Sequence, residues 1–320
     1  MADAKLTALT ETSVAALDDV SYTVDVSDTT DDAAGSSRKL SFNRLGGLFV
    51  PSYCDGRLTT ESGVAVSTSD RTSQGTIYFT PYLGNRITIY DGTRWKLYSF
   101  TERSLSLTAT SGKNYDVFIY DNAGTLTLEL SAAWTNDSTR ADALTTQDGV
   151  YVKSGSTTRR WLGTIRASGT NVTEDSEAKR FVWNTFNRSY RSLYTVETTD
   201  TWSYGTNTWR QANGSSSNQI EVVLGSASVV SLNLIANAYS GSAPNRWVGI
   251  GVDSTTSPSG VRGVSYASNA DVPCFANYVG SLSAGYHYLA WLEKADGSVA
   301  FSGDNAGDGR NCGMSGFLEN

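Results

Sequence analysis

Short segments in which apolar and polar residues alternate, separated by turn-forming residues, recur along this chain and constrain its fold more than any other feature. Asp91-Gly92 separates ITIY from RWKLYSF, and Asn122-Ala123-Gly124 separates YDVFIY from TLTLEL. A period of two is typical of a strand with one buried face, and a short glycine-containing turn between two such runs predicts a β-hairpin. Several hairpins in series predict an antiparallel sandwich or barrel.

The same pattern extends over most of the remaining sequence. Leu83-Gly84-Asn85 predicts a further hairpin between TIYFTPY and RITIY, and GVYVKSGSTTRRWLGTIRAS repeats the design. Alternation returns in NQIEVVLG, SVVSLNLIANAY, RWVGIGV and YHYLAWLE at spacings typical of a jelly roll. The sequence therefore predicts a mainly β protein with a middle β-sandwich or barrel domain over 49–170 and a C-terminal jelly-roll-like β-sandwich over 196–320.

One stretch between these two regions has helical spacing instead. In EDSEAKRFVWNTFNRSYRSLY, residues 174–194, apolar side chains recur at steps of one, three and four, with acids early and bases late. The pattern predicts an amphipathic linking helix over 171–195. Such a stripe packs either on an adjacent sheet of the same chain or on copies of itself around a symmetry axis. The second alternative gives an oligomer core of Ala178, Phe181, Val182, Phe186, Tyr190 and Leu193.

The N-terminal segment, residues 1–48, has too little apolar sequence for an independent core. It predicts a strand over 20–26, a second short strand over 38–42 and one helical turn, joined by an acidic loop. A segment of this size needs a partner surface, which makes it a candidate attachment segment. Its candidate contact residues are Val20, Tyr22, Val24, Val26, Leu40, Phe42 and Leu45.

Composition bears on the classes of function. The chain has 320 residues, a net charge of -7, 18% charged residues and a single histidine. No basic stripe is available to neutralise phosphates, so we expect no nucleic-acid partner. The N-terminus lacks a secretion signal and no apolar run is long enough to span a membrane, so we expect no membrane association either.

The residues of common catalytic and metal-binding motifs are missing, so we expect no enzyme activity, no cofactor and no metal. His287 is the only histidine, and it lies in a strand-like run. Asp116, Asp121 and Glu129 lie on or beside a predicted hairpin, where acids are mostly solvated. They leave open a polysaccharide-cleaving activity as the weakest alternative.

Two parts of the sequence resemble bacteriophage fibre proteins. The lead KLTALTETSVAALDDVSYTVDVSDTT, followed by SRKLSFNRL, resembles the N-terminal attachment segments of phage tail and head fibres. The run WLGTI from Trp161, followed by EAKRFVWN from Glu177, resembles a module of phage virion proteins. The resemblance covers about residues 1–190, and the C-terminal region resembles fibre heads only in general character.

The resemblance implies a structural virion component, assembled in the bacterial cytoplasm as a homotrimer. Its N-terminus would attach to a capsid, portal, collar or tail protein, and its C-terminal domain would contact a host-surface glycan or protein. The aromatic residues expected at such a contact are Tyr239, Trp247, Tyr278 and Tyr286, which are equally compatible with sandwich core or trimer interface. The alternative is a decoration, collar or head fibre protein without a receptor.

Overall fold

The protein is built almost entirely of β-strands. The computed structural model describes residues 19–42, 45, 51–242, 244–304 and 311–320, and of residue 22 it describes only the backbone. In that part of the chain the helical residues are Phe42, Leu45 and a 3-10 turn at Ala212–Gly214. The prediction of a mainly β protein is therefore confirmed.

The strands are numbered in chain order. The N-terminal and middle strands are β1 Val20–Asp25, β2 Ser36–Ser41, β3 Gly56–Thr59, β4 Arg71–Gln74, β5 Thr76–Pro81, β6 Arg86–Tyr90, β7 Trp95–Ser99, β8 Arg103–Ser106, β9 Asn114–Asn122, β10 Thr125–Leu130, β11 Leu144–Gln147, β12 Val150–Lys153 and β13 Ser156–Gly169. The remaining strands are β14 Val172–Asp175, β15 Lys179–Arg180, β16 Val182–Asn184, β17 Tyr190–Val196, β18 Thr201–Tyr204, β19 Arg210–Gln211, β20 Gln219–Leu224, β21 Ser228–Ser240, β22 Arg246–Val252, β23 Ser259–Ser265, β24 Ala270–Leu282, β25 Gly285–Ala295, β26 Val299–Ser302 and β27 Gly313–Glu319.

The N-terminal strands β1 and β2 form a separate two-stranded antiparallel sheet, from Val20 opposite Ser41 to Asp25 opposite Ser36. The loop between them is held by Arg38, which makes ion pairs with Asp28 and with Asp31. The predicted first strand and its partner are confirmed. Residues 1–18 and 46–48 of the predicted attachment segment lie outside the described part of the chain.

The middle region packs a small sheet of β3, β5 and β8 against a larger sheet centred on β9 and β13. Their inward side chains, among them Leu58, Phe79, Val117 and Ile165, form one buried cluster. Beside them lies the hairpin of β6 and β7. The middle region thus has its own core, which orders the strands that lead into the C-terminal region.

Two sheets enclose the C-terminal core. In the first, β21 pairs with β24 on one side and with β27 and β26 on the other, and β17 and β18 complete it. In the second, β25 pairs with β20, β19 and β22, and β23 crosses from β22 to β24. Side chains from both sheets, such as Leu232 and Trp291, belong to one buried cluster.

Two strands form a wall shared by the middle and C-terminal cores. Along β13, Trp161 belongs to the C-terminal core, whereas Leu162 belongs to the middle core. Along β16 and the residue before it, Phe181 and Trp183 point to the C-terminal core and Val182 to the middle core. Because successive side chains of a strand point to opposite faces, one strand can serve both cores.

The predicted helix over 174–194 is wrong. The stretch instead contributes the end of β14, then β15 and β16, and the start of β17, and Asn187 has a positive φ of 56°, which a helix interior does not accommodate. β15 pairs in parallel with β20, with Lys179 opposite Glu221. Residues 171–195 therefore belong to the sheets on both sides and do not form a separate linking element.

The hairpin predictions have mixed outcomes. Asp91-Gly92 lies between the paired strands β6 and β7, and Ala123-Gly124 joins the paired strands β9 and β10. GVYVKSGSTTRRWLGTIRAS forms the paired strands β12 and β13. The hairpin predicted at Leu83-Gly84-Asn85 is wrong, because β5 pairs with β3 and β8, whereas β6 pairs with β7.

Candidate functional site

The sheet of β17, β27, β21 and β24 turns an apolar face to solvent. Along β21 the even-numbered residues from Val230 to Ala238 are fully buried, whereas Val229, Ile235 and Tyr239 are between 42% and 49% exposed. Both faces of this strand thus carry large apolar side chains. The exposed apolar set, called the outer face below, comprises Tyr190, Val229, Ile235, Tyr239, Phe275, Val279 and Phe317.

Strand register brings these side chains together. Ile235 lies directly opposite Phe275, and the two line a shallow apolar cleft of about 340 Å³ together with Val261. At the other edge, the rings of Tyr190 and Phe317 meet edge to face with centroids 5.3 Å apart. The outward residues Ser315, Asn233 and Asn277 form a polar row between these two clusters, so the outer face consists of two apolar patches on one side of the same four-stranded sheet.

The outer face carries almost no charge. Among the outward positions of β17, β27, β21 and β24, all of which are described, the charged side chains are Asp271 and Glu319, each near an end of its strand. Depletion of charge together with aromatic enrichment is typical of the centre of a protein interface. Taking roughly 200 Å² for an aromatic side chain, the exposed parts of these side chains together present on the order of 600 Å² of apolar surface.

The four aromatics expected at a receptor contact lie in different places. Tyr239 is on the outer face, and Tyr278 packs against the C-terminal core from the other side of the same sheet. The hydroxyl of Tyr286 donates a hydrogen bond of 2.6 Å to Glu221, and its ring is covered by Arg166. Trp247 lies on the second sheet, so the structure does not bring these four residues together.

The six residues of the expected oligomer core do not share a face. Phe181 and Leu193 are buried in the C-terminal core, Val182 is buried in the middle core, and Ala178 and Phe186 are half-buried. Tyr190, at 75% exposure, joins the outer face. The stripe that would have faced other copies is thus largely packed within the chain, because the stretch is strand rather than helix.

The residues expected to attach the N-terminal segment carry exposed apolar surface. Val20, Val24 and Val26 are 54%, 48% and 76% exposed, respectively. Leu40, Phe42 and Leu45 are half-buried, and the side chain of Tyr22 lies outside the described part. The valine face of this two-stranded sheet therefore remains open to solvent.

The acids considered for catalysis are each engaged by neighbours. Asp121 accepts a hydrogen bond from the Tyr98 hydroxyl at 2.9 Å, and Glu129 pairs with Lys153 and Arg159, both at 3.2 Å. Asp116 is fully buried, contrary to the solvated position expected for it. No two of these carboxylates face each other across an open cleft.

A polar cleft of about 470 Å³ opens between the loop before β4 and the start of β17. Asp70 accepts a hydrogen bond from the backbone N–H of Glu177 at 2.8 Å, and Arg180 and Arg191 both pair with Asp175 at 3.0 Å. These charged groups compensate one another within the chain. This hydrogen bond and these ion pairs therefore stabilise the junction of the two regions, and the charged groups named are already paired.

His287 is the only histidine and it is structural. Its Nδ1 lies 2.8 Å from Asp253 Oδ2, and its Nε2 lies 3.1 Å from the backbone oxygen of Ser283. Burial lowers the pKa of His287, but the hydrogen bond and the negative charge of Asp253 outweigh burial, so that the pKa is raised above its ordinary value. This pair ties β25 to the loop after β22.

No group of three or more His, Cys, Asp or Glu side chains in the described part of the chain is arranged to hold a metal ion. None of its helical segments has the length and apolarity needed to cross a membrane.

Sequence reasoning missed most of the outer face. Ile235 occurs in SVVSLNLIANAY, whose alternation correctly predicted a buried inner face, whereas Phe275, Val279 and Phe317 lie in β24 and β27, which the sequence did not predict as strands. The available signal was that SVVSLNLIANAY carries apolar residues at its outward positions as well, at Val229, Ile235 and Tyr239. An apolar residue at several outward positions of one strand indicates a second surface that becomes buried.

These features describe a mainly β protein with an apolar, charge-poor sheet face. No protein-family model and no curated protein matches the chain. Solved structures with a distant likeness include two Bacillus thuringiensis proteins, the insecticidal delta-endotoxin Cry8Ea1 and the insecticidal crystal protein Cry7Ca1. The Cry8Ea1 match has 8% identity and a TM-score of 0.22, covering 96% of this chain and 60% of that one.

The Cry7Ca1 match has 9% identity and a TM-score of 0.21, covering 83% of this chain and 51% of that one. A tryptic core variant of Bacillus thuringiensis Cry1Da matches at 7% identity and a TM-score of 0.19, over 77% of this chain and 48% of that one. The chain thus spans about half to three fifths of the length of these proteins. Likeness at this level carries no argument about fold or function.

Proposed function

We propose that this chain is a non-enzymatic structural component of a bacteriophage virion, a homotrimeric fibre-type protein. In this proposal the N-terminal segment attaches to the particle and the C-terminal region forms a jelly-roll-like head that is exposed for host-surface contact. The observation that carries the proposal is the outer face, an apolar sheet surface with only two charges at its margins. Such a face is stable in water when another surface covers it.

Copies of the same chain are the occupant that this face suits best. A standard interface buries about 800 Å² per partner, and the apolar side chains of the outer face already supply on the order of 600 Å². An isologous or cyclic contact requires no charge complementarity, and the face offers none. The number of three chains comes from the resemblance to phage fibres, whereas the face gives the physical reason for association.

The N-terminal sheet supports the attachment part of the proposal. β1 and β2 hydrogen-bond to each other and to no other described sheet, and three valines on one face are about half exposed or more. Two-stranded sheets are marginal alone, so a docking partner would stabilise this one. Edge pairing with a strand of a capsid or tail protein is one way to supply that partner.

The decisive experiment is the mass of the purified full-length chain in solution. We expect about three times the chain mass of 34.3 kDa by sedimentation equilibrium. Ile235→Lys should shift the protein towards monomer, since the lysine would place a charge opposite Phe275 in an apolar part of the contact. Val64→Lys, a similarly exposed valine in the middle region, is the matched control and should stay trimeric.

A monomeric wild-type chain would contradict the proposal. So would an unchanged mass in the Ile235→Lys protein. Because Ile235 is 46% exposed in the single chain, the substitution leaves the monomer fold intact, and circular dichroism of the variant checks that point.

A further inference from the structure

The second sheet of the C-terminal region carries a cleft lined by two tryptophans and two cations. The cleft has a volume of about 280 Å³ and is bordered by Trp209, Trp247, Arg262, Val264 and Lys294. We call it the tryptophan cleft. It lies on the outward side of β22 and β25, away from the core that these strands share with the outer sheet.

The strand register builds the floor and one side of this cleft. Trp247 lies directly opposite Lys294 on β25 and directly opposite Val264 on β23, so the indole is flanked on both sides. The ammonium of Lys294 lies 4.7 Å from the centre of the Trp247 ring and 5.9 Å from that of Trp209. Both indoles therefore border the same positive charge.

A glycine places the second indole. A Cβ atom at Gly249 would lie 3.6 Å from two ring carbons of Trp209, so the indole of Trp209 rests over the bare backbone of β22. Gly249 is two residues beyond Trp247 and on the same side of the strand. The two indoles thus stand side by side, and both are half-buried with open ring surface.

The cations of the cleft are not neutralised. Among the described residues, neither Lys294 nor Arg262 makes an ion pair with a carboxylate, and no acid lines the cleft. The protein as a whole has a net charge of -7, whereas this cleft holds two positively charged side chains beside two indoles. It creates a place where an anionic group gains electrostatic stabilisation next to a stacking surface.

From these observations we infer that the tryptophan cleft binds an acidic saccharide, one whose sugar ring stacks on an indole while its carboxylate meets Lys294 and Arg262. The apolar face of a pyranose ring matches the flat face of an indole, and stacking immobilises few side-chain rotamers. The cleft volume is close to the lower limit for small-ligand sites and suits one or two sugar rings. The inference rests on the proposed function in one respect, because it assigns a ligand class to the host contact.

An acidic peptide fits this place less well. Peptides bound to sheets usually add a strand to a free edge, and β22 is paired on both sides, with β25 and with β23. A flat ligand that lies on top of the strands, rather than beside them, needs no free edge.

Isothermal titration of the full-length protein tests the inference. The probe is an oligosaccharide of alternating glucuronic acid and N-acetylglucosamine, compared with its carboxyl-reduced form, which has the same rings without the charge. We expect the acidic form to bind and the reduced form to bind at least tenfold more weakly. Trp247→Ala and Trp209→Ala should each weaken binding of the acidic form at least tenfold, whereas Tyr151→Ala, an exposed aromatic of the middle region, should not.

The double variant Lys294→Met, Arg262→Gln separates charge from stacking. It should reduce the affinity for the acidic form to that of the reduced form and leave the latter unchanged. Absence of binding, equal binding of the two forms, unchanged binding by both tryptophan variants, or equal binding of an oligoglutamate peptide would each overturn the inference. None of these results alters the expected mass in solution, so a failure here is distinct from a failure of the trimer.

Discussion

Two buried carboxylates illustrate how single residues hold this fold together. Asp116 accepts hydrogen bonds from the ring N–H groups of Trp134 and Trp161, both at 3.0 Å, from the Thr164 hydroxyl at 2.7 Å, and from Arg140 at 2.8 Å. Each of its oxygens thus receives two donors. Burial raises the pKa of Asp116. The groups that donate hydrogen bonds to its carboxylate oppose this shift, because they stabilise the ionised form.

Glu293 is held in the same way in the C-terminal region. It accepts a hydrogen bond of 2.7 Å from Trp202, and it pairs with Arg210 at 2.7 Å. The backbone N–H of Asn213 contributes a third donor at 3.2 Å. Each region therefore places one fully buried acid between a tryptophan and an arginine, which fixes the strands that carry them.

We expect Asp116→Asn to lower the free energy of unfolding by about 3–5 kcal/mol. The amide nitrogen would face two donors where an oxygen now accepts, and Arg140 would lose its counter-charge while partly buried. Urea unfolding followed by tryptophan fluorescence measures the loss. Asp200→Asn, at an exposed position, is the control and should change stability by less than about 0.5 kcal/mol. A loss at Asp116 no larger than that of the control would contradict this account.

The burial of Asp116 was not predictable from the sequence. A carboxylate in YDVFIY alternates with apolar residues, and such a position normally faces solvent. Its four partners come from positions 18 to 48 residues further along the chain. Only the tertiary fold brings them together, so local pattern gives no information about this network.

At the scale of elements, the stretch 174–194 shows how an apolar run can imitate a helix. Phe181, Val182 and Trp183 are three consecutive buried residues, because one strand lies between two cores. A strand buried on both faces has no period of two, and its apolar residues fall by chance on helical steps. The acids and bases that suited a helix dipole are used instead in the Asp175 ion pairs with Arg180 and Arg191.

Glycine at a tight turn made some hairpins predictable, although the two-residue turn Asp148-Gly149 between β11 and β12 was not predicted. In the hairpin of β9 and β10, Asn122 pairs with Thr125, and the two residues between them, Ala123 and Gly124, have φ values of 51° and 93°. Two-residue hairpin turns of this kind require positive φ at both positions. The failed hairpin at Leu83-Gly84-Asn85 has the same residue types, but its flanking strands have partners elsewhere, which a local pattern cannot reveal.

We expect Ala123→Asn to raise the free energy of unfolding by about 0.5–1 kcal/mol, because asparagine adopts a left-handed backbone at lower cost than alanine. The side chain is exposed, so the change alters no packing. Gly124→Ala should have the opposite sign, although a Cβ there would meet no atom within 4 Å. Thermal unfolding of both variants measures the effect, and two changes of equal sign would contradict the turn conformation.

At the scale of the whole molecule, the alternating pattern was sufficient for the mainly β class but not for the sharing of strands between regions. The boundary expected at 171–195 falls inside a continuous arrangement, since β13 and β16 contribute to both cores and β15 pairs with β20. Only one part of the outer face, the exposed side of β21, could be predicted from the sequence. The strands that carry the outer face are joined in part by pairings that span more than 120 residues, such as Tyr190 with Glu319.

The N-terminal segment gives the last expectation. None of the described residues before Leu58 belongs to the fully buried part of either large core, so deletion of residues 1–48 should leave the thermal midpoint within about 2 °C of that of the full-length chain. It should also leave the mass in solution trimeric, because the outer face is untouched. Under the proposed function, however, the truncated chain should not be incorporated into virions. Immunoblots of purified particles would show its absence.

A matched variant separates attachment from simple loss of chain. Val24→Asp and Val26→Asp, made together in the full-length chain, place charge on the exposed valine face and leave the β1–β2 hydrogen bonds intact. If that face docks on the particle, these substitutions should exclude the chain as effectively as the deletion. If the doubly substituted chain is incorporated normally and the truncated chain is excluded, the docking surface lies in another part of residues 1–48. If both chains are incorporated normally, this segment has no attachment role.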